Sequence, residues 1–208
     1  MNLIHLFFLV WTSLYGDASL NSHLQLCQHL HEEDQNPADM GELAMEELKP
    51  EKVLNWSHNQ KLVWADFQGD PHPKYPHIAA LTYSSIVYKY HCENGALNID
   101  VEANFRINDS WVRPEAMNEY YLNHEQLHFD ITELYARKFR EAVGNRLFTC
   151  DQVDDFEVIA DRVLDAWRLM EQKYDLETHF SHDLEMQREW YVYIHSQMVD
   201  YKAYAMVE

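Results

Sequence analysis

His124-Glu125-Gln126-Leu127-His128 is an HExxH pentapeptide, and its chemistry depends on its being helical. Residues four apart on an α-helix advance about 400°, so the two histidines stand only about 40° apart around the axis and their imidazoles can converge on one metal ion. Glu125 sits beside them, placed to hold a metal-activated water and take its proton. The metal brings the pKa of water toward neutrality, and the neighbouring carboxylate then acts as general base. The alternative is a pair of half-buried histidines on a core-facing stripe. A catalytic zinc site also needs a third protein ligand and an open position. Position 134 is Leu, so the longer HExxHxxGxxH pattern is absent and the third ligand must come from further along. Candidates cluster in the segment YDLETHFSHD at 174–183, where two histidines, His179 and His182, and several carboxylates stand near a helix break. Asp130 lies roughly 200° from His128 around the helix, which suits a salt bridge or a cap better than a ligand. His72 and His77 flank prolines in a loop, and the HLH at 29–31 is a weak metal signal.

The elements that must position this motif follow from the patterning. From Glu115 to Val143 there is no Gly or Pro, and the spacing predicts one long helix ending at Gly144-Asn145. Tyr121, His124, His128, Ile131 and Tyr135 then share one face. A second helix is expected over 154–177, with Val158, Val163, Leu164, Trp167 and Met170 as inner positions. A break at THFSHD and a third helix from about 183 to 200 follow. Upstream, IAALTYSSIVYKYHC and ALNIDVEANFRI are rich in β-branched and aromatic residues, and Asn94-Gly95 between them marks a hairpin. KLVWADFQGDPHP reads as a short strand and a turn, and SWV at 110–112 as a third strand. Strands first and helices after indicate an α+β fold. An antiparallel hairpin or small sheet would pack on a long central, zincin-like HExxH helix, followed by two further helices.

The 208 residues carry 16 Lys and Arg against 35 Asp and Glu, a net charge of −19. Nucleic-acid binding, which depends on clustered cations over phosphates, is excluded as a general function, and docking on an anionic membrane is disfavoured. No GxSxG, P-loop or GxGxxG motif is present. Residues 1–18 hold a short apolar run, Leu3–Val10, with Gly16 and Ala18 spaced as before a cleavage site. They read as a secretory signal peptide, although the start lacks Lys and Arg. The run is too short for a spanning helix, so no stable membrane insertion is expected after cleavage. Residues 19–52 read as an acidic extension and 53–208 as one domain. Of the three cysteines, Cys92 and Cys150 are the simplest pair for a bridge in an exported chain.

Three ordered blocks resemble a known family. Leu62-Val63-Trp64-Ala65-Asp66-Phe67-Gln68-Gly69 resembles an LTWxDFxG opening. The stretch 123–137 resembles a HEQxHFDIxELYAR block, and Tyr174-Asp175 with Glu177-Thr178, Gln187 and Trp190 resembles a YDxET…Q..W ending. Over roughly residues 53–195 the chain is similar to a bacterial domain family of unknown function whose members are described as predicted secreted zinc-dependent proteases. The resemblance implies export, a zinc site and peptidase-like activity on a peptide or protein substrate. Two departures stand out: Leu127 where the family commonly has Gly, and Phe180 where a His is expected. The expected site is therefore His124, His128 and His179 as zinc ligands and Glu125 as general base. His182 or Asp175 are the alternatives for the third ligand, and its loss is the other outcome. Tyr174 or His195 is expected to offer a hydrogen bond to the oxyanion. The rival from another class is a non-catalytic envelope protein that keeps the fold and a structural or vestigial metal site. A third is a binding module that uses the aromatic hairpin.

Overall fold

The computed structural model describes residues 52–206. The signal-like segment, nearly all of the acidic extension and Cys27 lie outside the described residues. Among the described residues five strands precede three helices: β1 (Val53–Asn55), β2 (Ala80–Leu81), β3 (Ser84–Glu93), β4 (Ala96–Arg106), β5 (Trp111–Val112), α1 (Glu119–Gly144), α2 (Val153–Glu177) and α3 (Leu184–Asp200). This is the α+β arrangement expected from the sequence.

β3 and β4 form the hairpin, with Cys92 opposite Leu97 and Glu93 opposite Ala96. The two turn residues, Asn94 and Gly95, have φ of 52° and 82°, the positive values that a two-residue turn matched to strand twist demands. β1 adds to the free edge of β4, giving the antiparallel order β1-β4-β3. The SWV strand exists but pairs with β2 in a separate two-stranded ribbon. The expected strand in KLVWADFQG is instead a 3₁₀ turn at Trp64–Asp66. There the Asp66 carboxylate accepts from the Val63 N–H at 2.8 Å, and this local bond competes successfully with extension. Gly69 follows where the chain crosses the β4–β5 connection; a Cβ there would lie 2.7 Å from the Asn108 carbonyl oxygen.

Alternate residues of β4 (Leu97, Val101, Ala103, Phe105) are buried and face the helices. Phe105 packs on Phe129 of α1, and Tyr88 of β3 packs on Phe139 and Phe156. α1 starts at Glu119, later than the pattern suggested, because Pro114–Ala116 forms a 3₁₀ turn and Asn118 caps the helix by accepting from the Tyr121 N–H. Fourteen of its residues are buried, so α1 is the central element. α2 runs antiparallel to it, as the pairs Thr132–Trp167 and His128–Glu171 require. α3 runs parallel, with Gln187 beside His124 and the Met198 carbonyl accepting from Arg137. In α2 the inner row is Phe156, Ala160, Leu164 and Trp167. Val158 is exposed, contrary to expectation, because it lies about 200° around the axis from Phe156.

Cys92 and Cys150 form a disulfide with Cα atoms 5.6 Å apart, tying the end of β3 to the loop that follows α1. Among the described residues no helix is long and apolar enough to cross a membrane.

Candidate metal centre

α1 brings His124 and His128 together on one side, with ring centroids 4.8 Å apart and planes nearly perpendicular. Each ring is held from behind at Nδ1. His128 Nδ1 lies 2.5 Å from Glu171 Oε2, and a carboxylate can only accept, so Nδ1 carries the proton. His124 Nδ1 lies 3.0 Å from Gln187 Oε1. The Gln187 amide nitrogen donates to the Tyr174 hydroxyl, which donates in turn to the His124 carbonyl. The amide oxygen therefore faces His124 and accepts from its Nδ1–H. Both Nε2 atoms are left directed inward.

Asp175, near the end of α2, completes the group. Its Oδ1 is 3.2 Å from His124 Nε2 and 3.1 Å from His128 Nε2, and the two Nε2 atoms are 3.2 Å apart. Three donors thus form a nearly equilateral triangle, and these residues are the group able to hold a metal ion among those described. Tetrahedral zinc bonded at about 2.0–2.1 Å sets its donors roughly 3.3 Å apart, close to the observed edges. Two imidazoles, neutral once a metal displaces their Nε2 protons, and one carboxylate are also a donor chemistry that zinc accepts. The residues fit the group.

The charges make the same point. Glu125, Glu171 and Asp175 are all largely buried beside two histidines, and buried carboxylates without a cation are costly. Burial alone would lower the His128 pKa, but the Asp175 and Glu171 carboxylates outweigh it and hold the imidazole well above its usual value of 6.5. Burial raises Glu171, with His128 and Trp167 pulling the other way. Burial, with Asp175, Glu125 and Glu171 adding to it, raises the Tyr174 phenol well above its usual value against the pull of Gln187, so Tyr174 remains a donor. Its ring stacks on His124 at 4.7 Å. Glu125 is 5% exposed. Its carbonyl accepts from Thr82, and its carboxylate has no hydrogen-bond partner among the described residues.

His179 is not at this site. Its side chain is 73% exposed and lies 3.8 Å from Asp183. Had α2 continued, His179 would follow Glu171 and Asp175 on the same face at intervals of four. The helix stops at Glu177, and His179, Phe180 and Ser181 all take left-handed φ (48°, 52° and 71°), which swings His179 outward. His182 is exposed as well. The third position of the triangle belongs to Asp175, one of the alternatives weighed from the sequence. His195 lies 3.7 Å from Asp130 and bonds the Tyr191 carbonyl, and the Tyr174 hydroxyl is taken by His124 and Gln187, so neither offers itself to an oxyanion. Asp130 accepts from Trp56, Lys61 and Gln126, the salt-bridging role expected of it. Glu171 escaped the sequence reading, although its place four residues before Asp175 puts it on the same helical face.

A family model described as bacterial protein of unknown function (DUF922) matches residues 77–183, just over half of the 208. The chain belongs to this family. The family match takes in the HExxH helix and Asp175 and stops short of Gln187. No curated protein and no solved structure matches the chain significantly.

Proposed function

We propose that this member of the family is an exported zinc-dependent hydrolase that cleaves a peptide or related amide bond, with a zincin-like helix at its centre. His124, His128 and Asp175 would hold the metal, and Glu125 is the general base. One observation carries the reading: three donor atoms stand 3.1–3.2 Å from one another, and the next residue in the chain after His124 is a carboxylate left without a hydrogen-bond partner among the described residues. Zinc in such a set supplies Lewis acidity toward water and toward a carbonyl oxygen. The chain's own residues do the rest. Gln187 and Glu171 fix the tautomers that direct both Nε2 lone pairs inward. Asp175 brings negative charge against the cation. Glu125 takes a proton from the attacking water and passes it to the leaving amine. The disulfide supports export, since such bridges persist in oxidising compartments. The −19 charge favours a peptide or protein partner over a nucleic acid.

The test is hydrolysis of a mixed quenched-peptide pool by the zinc-loaded chain. Activity should vanish on chelation, return with zinc, and fall about 10²–10⁴-fold in Glu125→Gln with the metal retained. Equal activity in Glu125→Gln contradicts the assigned role.

The rival reading, a non-catalytic envelope protein with a structural metal, is favoured by one observation: the three donor side chains are only 5–14% exposed. A structural zinc is closed by four protein ligands, whereas a catalytic one keeps a water position. In the cobalt-substituted chain, a spectrum shifted by a small hydroxamate indicates the open site; an unchanged spectrum indicates the closed one.

A further inference from the structure

The two histidines are held from behind by different chemistry. Gln187, behind His124, is a neutral amide. Glu171, behind His128, is a carboxylate, and both its oxygens are engaged. Oε2 accepts from His128 at 2.5 Å, while Oε1 accepts from the Trp167 indole at 2.8 Å and lies 3.2 Å from the Thr132 hydroxyl. Thr132 is itself fully buried and is placed by the Ser84 hydroxyl of β3 at 2.7 Å and by the His128 carbonyl at 3.1 Å. The Glu171 carboxylate is therefore held directly from α1 and α2, and through Thr132 from β3. A locked carboxylate behind an imidazole fixes the ring's angle and tautomer and makes Nε2 a stronger donor.

We propose that Glu171 is a positioning residue for the metal: it touches no ion, yet it sets the affinity of the site through His128. The proposal rests on the reading that His124, His128 and Asp175 hold zinc. It differs from a plain structural role, in which Glu171 only serves as a buried counter-charge for the fold. A structural residue changes the melting of the zinc-free and zinc-loaded chains alike. A positioning residue changes the gap between them.

The experiment measures the zinc dissociation constant by competition with a chromophoric chelator, and the melting of the same chain with and without zinc. Glu171→Gln keeps the shape and a weaker acceptor but removes the charge. It should weaken zinc about 10–100-fold and leave the zinc-free chain melting within a few degrees of wild type. A dissociation constant within threefold of wild type overturns the proposal while leaving the metal site standing. A wild-type chain that takes up no zinc overturns both. One measurement needs no variant to fold. In the zinc-loaded wild type, the His128 Nδ1 proton should give a slowly exchanging, strongly downfield NMR signal coupled to its ring nitrogen. Its absence also overturns the proposal.

Discussion

Replacing Asp175 by Asn removes the charge from the corner of the triangle that both imidazoles share, at 3.1 and 3.2 Å. Four-ligand structural zinc sites bind with about 10–16 kcal/mol, so one ligand contributes roughly 3–4 kcal/mol. At about 1.4 kcal/mol per tenfold, Asp175→Asn should weaken zinc by two to three orders of magnitude. The assay is thermal unfolding with free zinc fixed near a thousand times the wild-type dissociation constant. There the wild type gains about 4 kcal/mol from binding, which for a folded unit of this size is roughly 10 °C. In Asp175→Asn the same zinc should give about 0.4–1.4 kcal/mol, or roughly 1–5 °C. The comparison uses the zinc-induced increment, because the variant also loses the buried pairing of Asp175 with His128 and its zinc-free chain will melt lower. A variant with the full wild-type increment refutes the placement of Asp175 as a ligand.

His179→Gly separates the structural placement from the expectation drawn from sequence. His179 is exposed with φ of 48°, so relief of about 1–2 kcal/mol of left-handed strain less about 0.5–1 for glycine's entropy should stabilise the chain by roughly 0.5 kcal/mol, with zinc stoichiometry unchanged; loss of zinc by elemental analysis would restore His179 as a ligand. The Cys92–Cys150 bridge closes a sequence separation of 58, so reduction should lower stability by up to about 4 kcal/mol; an unchanged urea midpoint under reducing conditions counts against it. Burial, with Tyr193, Glu171 and Tyr201 adding to it, raises Tyr135 to about 12 from 10.0. A raised folded pKa means that its contribution is complete below pH 10 and is lost as pH climbs toward 12. Wild type should therefore lose more stability than Tyr135→Phe across that alkaline window, and parallel curves would contradict it.

Much of the architecture is legible because local signals and tertiary demands agree. Asn94-Gly95 readily takes the two positive φ values of a type I′ hairpin turn, and the run after Pro114, free of Gly and Pro until Gly144, suits one long helix. Val63–Asp66 misleads because its apolar residues look like a strand, while the deciding bond is a side-chain acceptor at Asp66. β1 is too short to announce itself and exists because β4 has a free edge. At the site, the HExxH spacing places His124 and His128 directly. The third corner is harder, because whether Asp175 or His179 points inward depends on where α2 stops, and the three left-handed residues that stop it are not glycines. Gln187 is far from His124 in sequence and meets it only because α3 lies parallel to α1.

The most direct measurement is the metal content of the purified chain by elemental analysis, for wild type, His128→Ala and Glu125→Gln. The account predicts close to one zinc per chain in the wild type, its loss in His128→Ala and its retention in Glu125→Gln. A wild type that binds no metal when zinc is supplied, or a His128→Ala chain that keeps it, contradicts the account at its centre.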